Sequence, residues 1–173
     1  QFGGGQNPFG DIFGFHQQRR QQYRNQDLNL ETTITLEEAY KGKTLVDNVQ
    51  LPSGKEQVLE IKIPPGIIAG QKLRLQGLGD DRTPQVPRGD LYVHINIQPH
   101  YLYQRAGDDL VCEMRISAWE AMLGKSVEIE TLDNKKISVN IPAGTQPGAT
   151  LRLTGYGMPN VQDPRFKGNI MMA

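Results

Sequence analysis

A single cysteine, Cys112, excludes an intrachain disulfide. With only three histidines and no C-x-x-C pair, it also leaves no recognisable zinc pattern. Neither sign of charge predominates. The 19 Lys and Arg balance 19 Asp and Glu, so the basic surplus of a dedicated nucleic-acid binder is missing. No run approaches the ~18 apolar residues of a membrane span, and the polar, glycine-rich N-terminus is unlike a signal peptide. Aromatics are few, and the one tryptophan, Trp119, falls in a short helical turn where a large aromatic is expected to be core. What remains is a globular composition, 37% hydrophobic and 22% charged, in 173 residues: one ordinary domain or two small ones. The chain begins at Gln1 and stops at Ala173 where a strand is under way, and reads as a piece of a longer protein.

Residues 1–26 stand apart. QFGGGQNPFGDIFGFH sets Phe2, Phe9, Phe13 and Phe15 among glycines and QQRRQQYRNQ follows, with no period to define a buried face. This composition predicts a flexible linker, or phenylalanines that dock on the protein's own groove. From Asp27 the pattern alternates. Leu28, Leu30, Thr32, Ile34 and Leu36 share one face and polar residues the other, as in a half-buried strand. LEEAYKG then predicts a short helical turn closed by Gly42; KTLVDNVQL, QVLEIKI, QKLRLQG and GDLYVHINIQ predict further strands.

The second half repeats this order. ISAWEAMLGK from Ile116 matches ITLEEAYKGK from Ile34, and Asp109-Leu110 matches Asp27-Leu28 at the same offset. NIPAGTQPGATLRLTGYG from Asn140 matches KIPPGIIAGQKLRLQGLG from Lys62, and Lys167-Gly168-Asn169 matches Arg88-Gly89-Asp90. Two copies make a tandem duplication of β-rich units, joined by a hinge near Pro99-His100-Tyr101. The repeated glycines read as corner-turning positions. No Gly-Lys-Ser/Thr follows them, so they are not phosphate loops.

Catalytic constellations are hard to find. Asp80-Asp81 and Asp108-Asp109 are neighbours expected to be solvated. His94 and His100 lack a cysteine or aspartate at ligand spacing, and Cys112 alternates with Leu110 and Met114 as a packed thiol would. The expectation is a non-enzyme with no cofactor and no metal. The strand faces offer a different possibility: Leu28, Leu30, Leu45, Val49 and Leu51 are either ordinary core or the wall of a groove to which an extended peptide adds as a strand.

The ordered set of motifs resembles the DnaJ-like family of J-domain co-chaperones. It comprises a Gly/Phe-rich lead into DLNLETTITLEEAYKG, the twice-used I-P-x-G-x-x-x-G-x-x-L-R-L-x-G-x-G, RGDLYV, PHYLYQRAGDDL and WEAMLGK. With no C-x-x-C it is similar to the type without the zinc-binding region, and SAWEAMLG to the curved-DNA-binding-protein branch. The resemblance implies a mainly β fold of two tandem β-sandwich-like C-terminal domains, each with a short helix. The implied division is a linker at 1–26, a client-binding domain at 27–101 and a second domain at 102–173. It implies a hydrophobic groove for unfolded client polypeptide at Leu30, Thr32, Leu45, Val49 and Val93, with a second groove at Cys112, Met114 and Val127. Thr32 and Asp47 are more polar than the family pattern, which implies a shallower groove. The implied role is a cytoplasmic co-chaperone fragment delivering clients to a DnaK-type chaperone. Curved-DNA binding at the nucleoid is the alternative, resting on QQRRQQYR and Lys135-Lys136. No J-domain with its His-Pro-Asp motif and no dimer-forming tail is seen in this stretch. The fragment is therefore expected to be monomeric and its intact parent a V-shaped homodimer.

Overall fold

The computed structural model describes residues 24–173. The Gly/Phe-rich stretch therefore lies outside the described residues. Eleven strands and two short helices follow one another as two copies of a single plan. In the first unit β1 (Leu28–Ile34) leads through α1 (Leu36–Lys41) into the hairpin β2 (Lys43–Gln50) and β3 (Glu56–Ile63), then β4 (Lys72–Leu75) and β5 (Leu91–Ile97). In the second, β6 (Gln104–Ala106) precedes β7 (Asp109–Cys112), α2 (Ala118–Leu123), the hairpin β8 (Lys125–Glu130) and β9 (Lys136–Ile141), β10 (Leu151–Pro159) and β11 (Lys167–Met172). The fold is mainly β, as expected.

Each unit pairs a mixed sheet with a two-stranded hairpin. The first sheet runs β1-β5-β4, with β1 parallel and β4 antiparallel to β5. The second runs β10-β11-β7-β6, with β7 parallel and β10 antiparallel to β11. The crossover from β1 to a parallel β5 carries the helix and the hairpin, as parallel pairing requires a long connection.

The repeated Asp-Leu and x-Gly-Asp/Asn motifs share one structural task. Asp27 accepts a hydrogen bond from the backbone N–H of Asp90 at 2.7 Å, and Asp109 from that of Asn169 at 2.6 Å, which fixes where the two parallel strands start. The intervening glycine lets the backbones touch. A Cβ on Gly89 would lie 2.1 Å from the Gln26 carbonyl oxygen, and one on Gly168 2.0 Å from that of Asp108. Arg24–Gln26, placed by sequence in the linker, are tied down here. The Asn25 N–H bonds the Pro87 carbonyl, and the Arg24 guanidinium reaches Asp27 and Asp90.

Both helices start with the same capping box. Thr35 accepts from the N–H of Glu38 while Glu38 accepts from the N–H of Thr35, and Ser117 and Glu120 do the same. Their packing differs. In α1, Leu36 and Ala39 are buried; α2 buries nothing. Trp119 is 73% exposed, against the expectation of a core position. It occupies the place of Glu37, on the outward side of the helix, where sequence periodicity over so short an element gives no reliable face.

Asp80 also departs from expectation. It is buried rather than solvated, accepting from the backbone and guanidinium of Arg82. The hydrogen bond from Arg82 holds its carboxyl below the usual range. Asp90 is likewise buried and lowered, first by the Gly77 N–H and then by Arg74.

The units are joined firmly. Within the second unit Tyr103 is buried and its hydroxyl donates to the Glu130 carbonyl at 2.8 Å; burial pushes its pKa up to about 12. The Arg105 guanidinium donates to the carbonyls of Gly66 and Ile67. Lys167 donates to the Tyr40 hydroxyl at 2.6 Å and lies 4.9 Å from its ring centre. One connected core of buried side chains runs through both units.

Candidate peptide-binding groove

The groove anticipated from sequence depends on which strands have a free edge. In the first unit β1 ends its sheet and β2 pairs only with β3, so among the described residues each presents one unpaired backbone edge. Such an edge is a template for another strand.

Alternation puts Leu30 and Thr32 on the inner face of β1, opposite Val93 and Ile95 of β5. Leu45 and Val49 share one face of β2, opposite Ile61 and Gln57 of β3. Burial grades outward. Val93, Ile95, Leu59 and Ile61 are sealed in the core, while Leu30, Thr32, Leu45 and Val49 are half-buried. Leu30, Leu45 and Val49 pack against that core. Four of the five anticipated residues thus keep accessible surface on edge strands. Val93, at 0% exposure, is floor beneath Leu30 and is out of reach of a ligand. Asp47, between Leu45 and Val49 on the same face, is exposed and puts a charge on the rim.

The second unit repeats these positions with a different outcome. Cys112, opposite Met172, is 2% exposed, and burial pushes its thiol pKa up. Met114 and Val127 are half-buried against the core. The edge of β7 is taken, because β6 pairs with it from Gln104↔Val111 to Ala106↔Asp109. The signal for β6 was present in the sequence as AGDD, a two-residue Gly107-Asp108 hairpin loop with Gly107 at φ 67. Reading PHY as a hinge obscured it.

Among the described residues no group of three His, Cys, Asp or Glu side chains is placed to hold a metal ion. His94 bonds the Asn29 side chain and His100 that of Glu37, both structural contacts. No helix among the described residues is long and apolar enough to cross a membrane.

Comparison with known proteins agrees with the motifs. The family model described as the DnaJ C terminal domain matches residues 28–173. A curved DNA-binding protein of Coxiella burnetii is 39% identical over 145 residues, covering 79% of this chain and 46% of that protein. The chaperone protein DnaJ of Halalkalibacterium halodurans is 44% identical over 107 residues, 62% of this chain and 29% of that protein. Chaperone protein DnaJ 2 of Aquifex aeolicus is 40% identical over 107 residues, 62% and 28% respectively. The chain therefore spans less than half the length of these relatives.

Proposed function

Because this chain belongs to the DnaJ family through its C-terminal domain, we propose that it holds non-native polypeptide along the open edges of β1 and β2 without transforming it chemically. The observation that carries this is the pairing of two properties on the same strands. Leu30, Thr32, Leu45 and Val49 keep apolar or half-apolar surface accessible beside backbone groups that have no ladder partner. An extended client gains sequence-tolerant backbone hydrogen bonds there, and its alternate side chains rest on the aliphatic wall. The half-buried wall and the Asp47 rim make the groove shallow, so each contact is weak and client release is fast.

The division at residues 101/102 belongs to the same proposal, with client capture assigned to the first unit and a subsidiary role to Met114 and Val127. In a longer parent acting in the cytoplasm with a DnaK-type chaperone, two such grooves in a dimer would gain by effective concentration.

DNA binding is the second reading, favoured by the name of the Coxiella relative. Charge pairing weighs against it. Arg74, Arg82, Lys135 and Arg165 each already face a carboxylate. Titrating a fluorescent, reduced and alkylated client, and separately a duplex DNA, at ~50 and ~200 mM salt separates the two, since phosphate contacts lose affinity steeply over that range. Client binding that persists at the higher salt supports the proposal; DNA binding with no client binding overturns it.

A further inference from the structure

The turn that carries the chain from the first unit into the second is built around one side chain. His100 lies between the end of β5 and the start of β6, and its side chain is only 8% exposed. Its Nδ1 accepts two backbone N–H groups, from Leu102 at 3.2 Å and from Tyr103 at 3.1 Å. A ring nitrogen that accepts carries no proton, so the ring is neutral with its hydrogen on Nε2. That N–H donates to Glu37 Oε1 of α1 at 3.0 Å. The imidazole thus closes the turn as an Asn or Asp side chain does in an Asx-turn, by accepting from backbone N–H groups a few residues on. Through Nε2 it also fastens the turn to the first unit.

A proton on Nδ1 would meet both backbone donors head on and leave all three N–H groups unpaired in a buried place. The ring lies 4.5 Å from that of Tyr101 and stacks on that of Tyr103 at 5.5 Å, centre to centre. The charged groups that face it are Glu37 on α1, Arg105 on β6, and Glu113 and Arg115 just after β7. The two arginines oppose a further positive charge. Glu37 favours one, but its bond to Nε2 is already made by the neutral ring, and at 37% exposure its attraction is screened by water. Two backbone bonds lost outweigh one bond strengthened. Burial by itself would raise the Glu37 carboxyl, but hydrogen bonds from its own backbone N–H and from Thr35, together with His100, bring it below its ordinary value. Glu37 is therefore a carboxylate throughout the range in which histidine titrates.

We propose that His100 is a proton-operated latch between the units, holding the turn at Leu102 and Tyr103 against α1 while neutral and releasing it when protonated. Proton uptake at Nδ1 breaks both bonds from the backbone, and the ring swings outward to hydrate its new N–H. Leu102, Tyr103 and the start of β6 then loosen. The contacts of Arg105 with Gly66 and Ile67, and of Lys167 with Tyr40, involve no histidine, so the units stay attached while the turn opens. The closed turn is the form that binds fewer protons. Its stability is therefore present at high pH and lost as the pH falls through the histidine range. The latch makes no use of the groove on β1 and β2, and stands or falls apart from client capture.

The test uses the 173-residue chain between about pH 8 and about pH 5, a span that brackets histidine titration. The ring nitrogen resonances of His100 are expected to show an unprotonated Nδ1 at the upper end. Protection of the Leu102 and Tyr103 amides, corrected for the intrinsic pH dependence of exchange, should fall at least about tenfold on acidification. The Ile95 amide, bonded to the Gln71 carbonyl within the first unit, should keep its protection. His100→Asn retains an acceptor for the same two N–H groups but takes up no proton, so its protection should be equal at both ends of the range. In the unmodified chain the loss should track the change in the Nδ1 resonance, which decides the matter even where the variant does not fold. A proton on Nδ1 at the upper end, equal protection at both ends in the unmodified chain, or an acid loss that persists in folded His100→Asn would overturn the proposal.

Discussion

In the first unit α1 lays Leu36 and Ala39 into the core, and its outer side is occupied: Glu37 accepts from His100 of the hinge and Tyr40 receives Lys167 from the second unit. In the second unit the equivalent helix buries nothing, and the places of Glu37, Tyr40 and Lys41 hold exposed Trp119, Met122 and Leu123. The strand edges differ in the opposite sense. β1 is open where β7 is sealed by β6. One plan has thus been used twice with its exposed apolar surface moved. It lies on the edge strands in the first copy, and on the helix face in the second. The difference follows from chain order. The hinge after β5 folds back over the first unit and supplies β6 to the second, so it covers α1 and β7 together.

The sharpest way to break this comparison is at the corner glycines. Gly66 has φ 84 and a Cβ there would lie 2.2 Å from the Pro159 carbonyl, while Gly144 has φ 82 with nothing within 4 Å. Gly144→Ala should cost about 1–2 kcal/mol, the conformational penalty alone. Gly66→Ala should cost more than about 3 kcal/mol, because backbone must also move. Urea unfolding of the two variants measures the gap, and equal losses would mean that the units are not pressed together at this corner. Next comes Arg105→Ala, which leaves the Gly66 and Ile67 carbonyls without their charged donor. A loss of about 2 kcal/mol is expected, together with faster amide exchange in β6. Unchanged exchange would show that β6 holds β7 without help from the first unit.

Client binding gives a smaller effect that tests the asymmetry directly. Leu45→Asp should weaken capture of an alkylated client about tenfold, about 1.4 kcal/mol, with the circular dichroism spectrum preserved, whereas Val127→Asp, its counterpart, should change it less than about twofold. Equal losses would mean that both units capture clients alike. The smallest effect concerns the helix caps. Glu120 is held down to about 2, first by the Lys125 side chain and then by the Ser117 backbone N–H, and Glu38 is lowered by Lys43 and the Thr35 N–H. A depressed carboxyl stabilises the fold above its unfolded value, near 4.5, and that contribution is lost as pH falls toward its folded value. The capped helices should therefore be intact at neutral pH and weaken on acidification from about 4.5 toward 2. Ser117→Ala should flatten that acid response in α2 while α1 keeps its own, as read by amide exchange. An unaltered α2 profile would remove the capping box as its cause.

Much of the architecture was legible. Period-two alternation located β1, β2, β3 and β5, and the Pro-Gly corners separated them, because a strand with one buried face must alternate whatever surrounds it. The repeat itself was visible since both copies need glycine where backbones touch, at Gly89 and Gly168, and a carboxylate to fix the parallel start, at Asp27 and Asp109. The same alternation put Leu30, Leu45 and Val49 on the inward strand faces, and their assignment to a groove came from the family resemblance. Val93 was not distinguishable from them, since a wall residue and a floor residue obey one period. Trp119 was misplaced because hydrophobicity states what a side chain would gain by burial, not whether anything arrives to bury it.

The amino-acid order by itself determined the elements, their duplication and the inward face of each strand, because those depend on contacts between near neighbours and on the steric needs of single residues. Only the tertiary structure decided which edges stay open, that Asp80 is buried beside Arg82, and that Trp119 stays exposed on α2. Those outcomes depend on where distant segments such as Gln104–Ala106 come to rest. A strand's pattern is the same whether its neighbour is present or missing.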